Sequence, residues 1–148
     1  MRNNKGYKVL KVLILLVVVQ IVIMIKVQGN EYVKKDIGVT YSCHVQDVGW
    51  QGWRNDGELA GTEGQSKRLE AIKFRLENVP EKIKIKYQTH IQDIGWQDWK
   101  YDGEMAGTEG QSKRLEAIRI ELEETEEYSV MYRVHVQDIG WQDWKYDG

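Results

Sequence analysis

The 148-residue chain is poor in the residues that usually constrain a small fold. It has one cysteine, Cys43, so no intrachain disulfide is possible and a disulfide scaffold is excluded. Its single proline, Pro80, leaves little polyproline character. Beyond the first 29 residues there is no long apolar run and no excess of basic charge. Residues 30–148 hold sixteen Lys and Arg against twenty-three Asp and Glu, net −7. Nucleic-acid binding needs a basic footprint, so no nucleic-acid partner is expected. Gly-x-Ser-x-Gly, His-Glu-x-x-His and a glycine-rich phosphate loop are also missing, which removes the commonest enzymatic signatures.

What is abundant is repetition. His44-Val-Gln-Asp-Val-Gly-Trp-Gln-Gly-Trp53 recurs as His90-Ile-Gln-Asp-Ile-Gly-Trp-Gln-Asp-Trp99 and as His135-Val-Gln-Asp-Ile-Gly-Trp-Gln-Asp-Trp144. Gly57 to Ile72 matches Gly103 to Ile118 except for Leu59 against Met105. A fixed period of this size means one supersecondary unit reused, its core completed by neighbouring copies. Copy one covers about 39–79 and copy two about 84–123. Copy three covers about 129–148, and the sequence ends within it at Asp147-Gly148.

The leader is different. Arg2, Lys5, Lys8 and Lys11 precede an apolar stretch from Val12 to Ile25, broken only by Gln20, and Val27-Gln28-Gly29 follows. This has the form of a secretory signal cleaved before Asn30, with an apolar helix as its export element. The alternative is an uncleaved membrane anchor, although the run is shorter than the roughly 20 residues that span a bilayer. Either way, residues 30–148 are expected outside the cell, in contact with a membrane only through residues 1–29 if those are retained.

Each unit opens on a strand pattern. Tyr87, Thr89 and Ile91 alternate with Gln88, His90 and Gln92, so one face is core and the other is solvent or site. Cys43 falls where copies two and three have Thr89 and Val134, which places it among packing residues. Lys82, Lys84 and Lys86 alternate too and read as a solvated face. Turn signals follow at Asp56-Gly57, Gly61 and Gly64. The unit closes with Glu70 to Leu76, where Ile72, Phe74 and Leu76 alternate with Lys73 and Arg75. Alternation and β-branching predict a strand, against a rival helix starting near Ser66. The connector around Pro80 predicts a hairpin between one unit's last strand and the next unit's first.

The Gly-Trp-Gln-x-Trp motif, Asp-Gly, and Gly-Thr-Glu-Gly-Gln-Ser-x-Arg-Leu-Glu-Ala-Ile together resemble the ChW repeat, the clostridial hydrophobic repeat with a signature tryptophan. The resemblance covers about residues 39–148. It implies a bacterial, secreted or cell-surface protein engaged in adhesion, carbohydrate or wall binding, or protein contact. It assigns no ligand residues. The expected fold is all-β: a pseudo-threefold, prism- or trefoil-like assembly of hairpin-linked units behind the export helix.

Candidate binding residues occur once per copy. Trp53, Trp99 and Trp144 sit beside surface-like residues such as Tyr101 and Tyr146, and offer a flat apolar ring with a polar edge. Trp50, Trp96 and Trp141, flanked by Gly and Gln, are expected to be structural. His44, His90 and His135, with Gln46, Gln92 and Gln137, form a second candidate strip for hydroxyls or peptide backbone. Asp47, Asp93 and Asp138 precede a turn and read better as local backbone acceptors. Three histidines about a threefold axis could meet as zinc ligands, but nothing in the local spacing selects this, and no metal or other cofactor is expected. Near-identical copies give every carboxylate a twin in a similar setting. That argues against a catalytic pair and for multivalent binding, with a carbohydrate, a wall polymer or a surface protein as partner. Trp141 and Trp144 are expected to lack burial partners, because no closing strand follows them, and to favour association through an open sheet edge.

Overall fold

The computed structural model describes residues 37–148 and, as backbone, two leader segments, β1 (Leu13–Leu15) and β2 (Met24–Ile25). The expected export helix and cleavage site otherwise lie outside the described residues, and those two segments are strands. Among the described residues the fold is all-β and no helix is long and apolar enough to cross a membrane.

Copy one contains β3 (Gly38–Val45), β4 (Gly49–Trp50), β5 (Arg54–Asn55), β6 (Leu59–Gly61) and β7 (Leu69–Glu77). Copy two repeats this as β8 (Lys84–Ile91), β9 (Gly95–Trp96), β10 (Lys100–Tyr101), β11 (Ala106–Gly107) and β12 (Leu115–Glu123). Copy three has β13 (Val130–Tyr132), β14 (Val134–Val136), β15 (Gly140–Trp141) and β16 (Lys145–Tyr146).

The closing segment is a strand, as its alternation predicted, but its partner differs from expectation. β7 runs antiparallel to β3 of its own unit, from Gly38 opposite Glu77 to Val45 opposite Leu69, with an irregularity at His44/Val45. β12 pairs with β8 in the same way. The units are therefore not linked by paired hairpins. Asn78, at φ 56°, and the turn in which Ile83 N–H donates to the Pro80 carbonyl carry the chain from one sheet into another. The physical reason is burial. β3 and β7 present matching apolar faces, with Val39, Tyr41, Cys43, Ile72 and Phe74 fully buried between them and the rest of the core. Across the unit boundary, rings meet where no ladder forms: Phe74 packs edge-on against Tyr87 with centroids 4.8 Å apart.

Units also join through main chain. β11 of copy two adds to β7 of copy one, Ala106 opposite Ile72 and Gly107 opposite Ala71. β7 thus lies between its own opening strand and the next unit's short strand. The leader backbone enters a related place. β1 lies parallel between β14 and β6, Ile14 opposite both Val134 and Ala60, while β2 pairs antiparallel with β13.

Candidate functional site

The repeated motif folds into a tight hairpin. In copy one, Val48 N–H donates to the Val45 carbonyl (3.1 Å), with Asp47 at φ 58° and Gly49 at φ 82°. Asp93 and Asp138 have the same left-handed conformation, which Asp tolerates better than most residues. The aspartates were expected to accept from nearby backbone; instead Asp47 and Asp93 pair with Lys67 (3.3 Å) and Lys113 (3.2 Å). The hairpin sets each histidine opposite the first tryptophan of its unit: His44 with Trp50, His90 with Trp96, His135 with Trp141. The rings touch edge to face at 5.5, 5.5 and 5.4 Å. His44 Nδ1 lies 3.1 Å from Glu70 Oε2, and His90 Nδ1 lies 3.3 Å from Glu116 Oε2. His44 also reaches copy two, its Nε2 lying 3.7 Å from Glu109 Oε1, and no group of metal-ligating side chains assembles among the described residues.

Every indole carries a cation over its ring. Lys73 covers Trp50 (4.0 Å), Arg75 covers Trp53 (4.3 Å), Arg119 covers Trp96 (4.4 Å) and Lys86 covers Trp99 (4.8 Å). Such contacts contribute about 0.5–1 kcal/mol at exposed sites. Lys82 and Lys84 are exposed, as a solvated face requires, but Lys86 is more than that: it also pairs with Glu121 (3.0 Å) and Glu123 (2.9 Å). Those two carboxylates raise its pKa above the usual lysine value.

The expected division between the tryptophans holds in copy one only. Trp53 is 40% exposed, whereas in copies two and three it is the first indole that is exposed, Trp96 at 41% and Trp141 at 38%. Trp99 and Trp144 are half-buried. Copy three also departs from the expected loss of shielding, because Arg133 of its own opening region covers both Trp141 (4.4 Å) and Trp144 (4.9 Å). Tyr101 and Tyr146 are exposed at 40% and 60%. Gln46 and Gln92 are half-buried and Gln137 is exposed, all three at the hairpin turn rather than beside the second tryptophan. Cys43 is fully buried, and burial pushes its thiol well above the usual value.

Two groups of residues went unnoticed in the sequence. Val48, Ile94 and Ile139, 50%, 49% and 73% exposed, place an apolar tip on each hairpin. The glutamine following the first tryptophan is a backbone clamp. Gln97 Oε1 accepts from Gly107 N–H (2.7 Å) while its Nε2 donates to the Gly107 carbonyl (3.2 Å). Gln51 holds Gly61 identically, at 2.8 and 3.1 Å. Their signal was the recurrence of a Gln ten residues before a Gly.

With this geometry in hand, the clostridial hydrophobic W family model matches residues 44–78 and 90–124. The chain carries two ChW repeats. No curated protein and no solved structure matches it. Each matched segment runs from the histidine facing the first indole to just past the closing strand, so a ChW repeat here includes the hairpin, the clamp and β7 or β12. The start of the opening strand lies outside the match. His135 to Gly148 repeats the first part of a ChW unit, differing from His90 to Gly103 only at Val136.

Proposed function

We propose that this chain is an exported, non-catalytic binding module whose units act together on carbohydrate or cell-wall material. The observation that carries the reading is the exposed indole in every unit: Trp53, Trp96 and Trp141, each 38–41% exposed with a cation over its ring. A sugar can lie against the accessible part of such a ring, while neighbouring cations, carboxylates and histidines meet its hydroxyls. One site of this kind is weak. Repeated sites add by avidity when their spacing matches that of the polymer. Secretion or surface display rests on the leader's charge and hydropathy pattern.

The same reading arranges the units about an approximate threefold axis, as in a prism or trefoil. In its favour, β7 lies between β3 and β11, and the β1 backbone lies in a similar way between β14 and β6. A second reading, a protein-binding or surface-layer module, is favoured by the exposed apolar tips Val48, Ile94 and Ile139.

The test is a titration of the full chain with purified wall polysaccharides and peptidoglycan fragments, followed by tryptophan fluorescence. Saturable binding weakened by Trp96→Ala supports the first reading. Retention by surface proteins, with no response to any glycan, replaces it with the second.

A further inference from the structure

Copies one and two are so alike that the few places where they part bear on function. On the face of β7 turned away from the core, copy one has Lys73 and Arg75; the corresponding residues of β12 are Arg119 and Glu121. Copy one therefore sets two cations side by side, about 6.5–7 Å apart along the strand, where copy two alternates charge.

What these cations touch differs as well. Lys73 lies over Trp50 (4.0 Å) and Arg75 over Trp53 (4.3 Å), and neither makes an ion pair or a side-chain hydrogen bond among the described residues. In copy two, Arg119 Nη1 donates to Gln88 Oε1 (3.3 Å), and Glu121 takes up Lys86 (3.0 Å). Cations at the start of the same strands are neutralised in place, Arg68 by Glu70 (2.7 Å) and Arg114 by Glu116 (2.9 Å). Arg75 is held in position as well as unpaired. Its guanidinium stacks on Trp53 and lies against the Gly103 backbone, so near that a Cβ at Gly103 would come within 2.8 Å of Arg75 Nε. Stacking engages the flat face of a guanidinium and leaves its N–H edge open, and that edge fits a carboxylate or a phosphate with two parallel bonds. Arg75 and Trp53 are both exposed.

We propose that this patch of copy one is a subsite for an acidic sugar. A sugar ring lies against the open part of Trp53, and its carboxylate or phosphate meets the Arg75 and Lys73 donors. The inference rests on the carbohydrate reading above and names its ligand class. The patch is polar in direction. At its other end Glu109 of copy two accepts from the Trp50 indole N–H (3.4 Å), so the oxyanion belongs at the Arg75 end and a hydroxyl beside Glu109. The acidic excess of residues 30–148 opposes an unbroken row of phosphates, so charge is accepted singly, on a ring that also stacks. Copy two, with a carboxylate at the matching place, takes neutral rings at Trp96.

The experiment titrates the full chain with a galacturonic acid trisaccharide and with its methyl ester, which keeps the rings and loses the charge, read by tryptophan fluorescence. A phosphorylated glucan oligomer and its dephosphorylated form distinguish phosphate from carboxylate. At least one acidic probe should bind more tightly than its neutral counterpart by about fivefold, the scale of one exposed charge contact. That preference should vanish in Arg75→Gln, persist largely in Arg75→Lys, and shrink as salt rises from about 50 to 500 mM, because exposed charges are screened. Circular dichroism checks that each variant stays folded. Equal affinity for acidic and neutral probes overturns the proposal and leaves the carbohydrate reading standing. So does a preference unchanged in both Arg75→Gln and Lys73→Gln, or binding of polyglutamate as tight as that of the acidic glycans, since the indole then plays no part. If no glycan binds, acidic or neutral, the carbohydrate reading fails and takes the proposal with it.

Discussion

Replacing Gly107 by alanine tests the joint between two units with a single methyl group. Gly107 has φ 119°, a conformation L residues rarely adopt, and its Cβ would meet Glu70 O, Ala71 Cα and Ala71 Cβ at 2.3, 2.5 and 2.8 Å. The backbone strain costs on the order of 1–3 kcal/mol. Relieving the overlap forces β11 away from β7, and overpacking of this kind typically costs about 1–3 kcal/mol more. If β11 lifts, the Thr108 bond to Glu70 and the two Gln97 bonds go with it, each worth about 0.5–1.5 kcal/mol. Some of these losses are alternatives, so the expected destabilisation is about 3–5 kcal/mol, a large share of the roughly 5–15 kcal/mol that holds a domain folded. Gly110→Ala is the control. Gly110 has φ 68° and no atom within 4 Å of its Cβ, so only the left-handed penalty of about 1–2 kcal/mol applies. Urea unfolding of the two variants by circular dichroism reads the difference. If both lose the same stability, or Gly107→Ala loses less than about 1.5 kcal/mol, strand addition between units is not what joins them.

Other perturbations follow from the same geometry. Phe74→Ala removes a fully buried ring that contacts both Tyr41 and Tyr87, and should cost about 3–5 kcal/mol in urea titration. Burial raises the carboxyl pKa of Asp102, and of Asp147 with help from Glu121. Their folded forms hold the proton more tightly than the unfolded chain, so this contribution is present below the ordinary value and is lost as pH rises through the folded value. Asp102→Asn should therefore flatten the decline in urea midpoint measured upward through the acidic carboxylate range. Burial likewise raises the Tyr87 phenol, so stability should fall as pH climbs past about 10; Tyr87→Phe should reduce that slope while costing about 1–3 kcal/mol for the lost acceptor pairing at neutral pH. Trp96→Ala should lower wall-polymer binding with a smaller stability loss than Phe74→Ala, because Trp96 is 41% exposed; equal losses would mean the ring is structural.

By itself the sequence determined the elements. Alternation placed Tyr87, Thr89 and Ile91 in the core and chose a strand over a helix for Leu69–Glu77, because period and side-chain shape are local properties. Repetition delimited the units, since identical segments must meet similar surroundings. Cys43 was correctly read as a packing residue from its counterparts Thr89 and Val134. Tertiary structure alone decided who pairs with whom. Both candidate partners of β7 carry the same alternating pattern, so only three-dimensional packing could choose β3 over β8. The same limit hid the tryptophan exposures. Trp53 and Trp99 have nearly the same sequence neighbours, yet Arg75 reaches one from the closing strand and Lys86 the other from the opening strand. It also hid the role of Gln51 and Gln97. A glutamine amide becomes a clamp only when a chain reversal returns a glycine backbone to it ten residues later; the recurring Gln-to-Gly spacing marks the two residues, but only the folded chain shows that they meet.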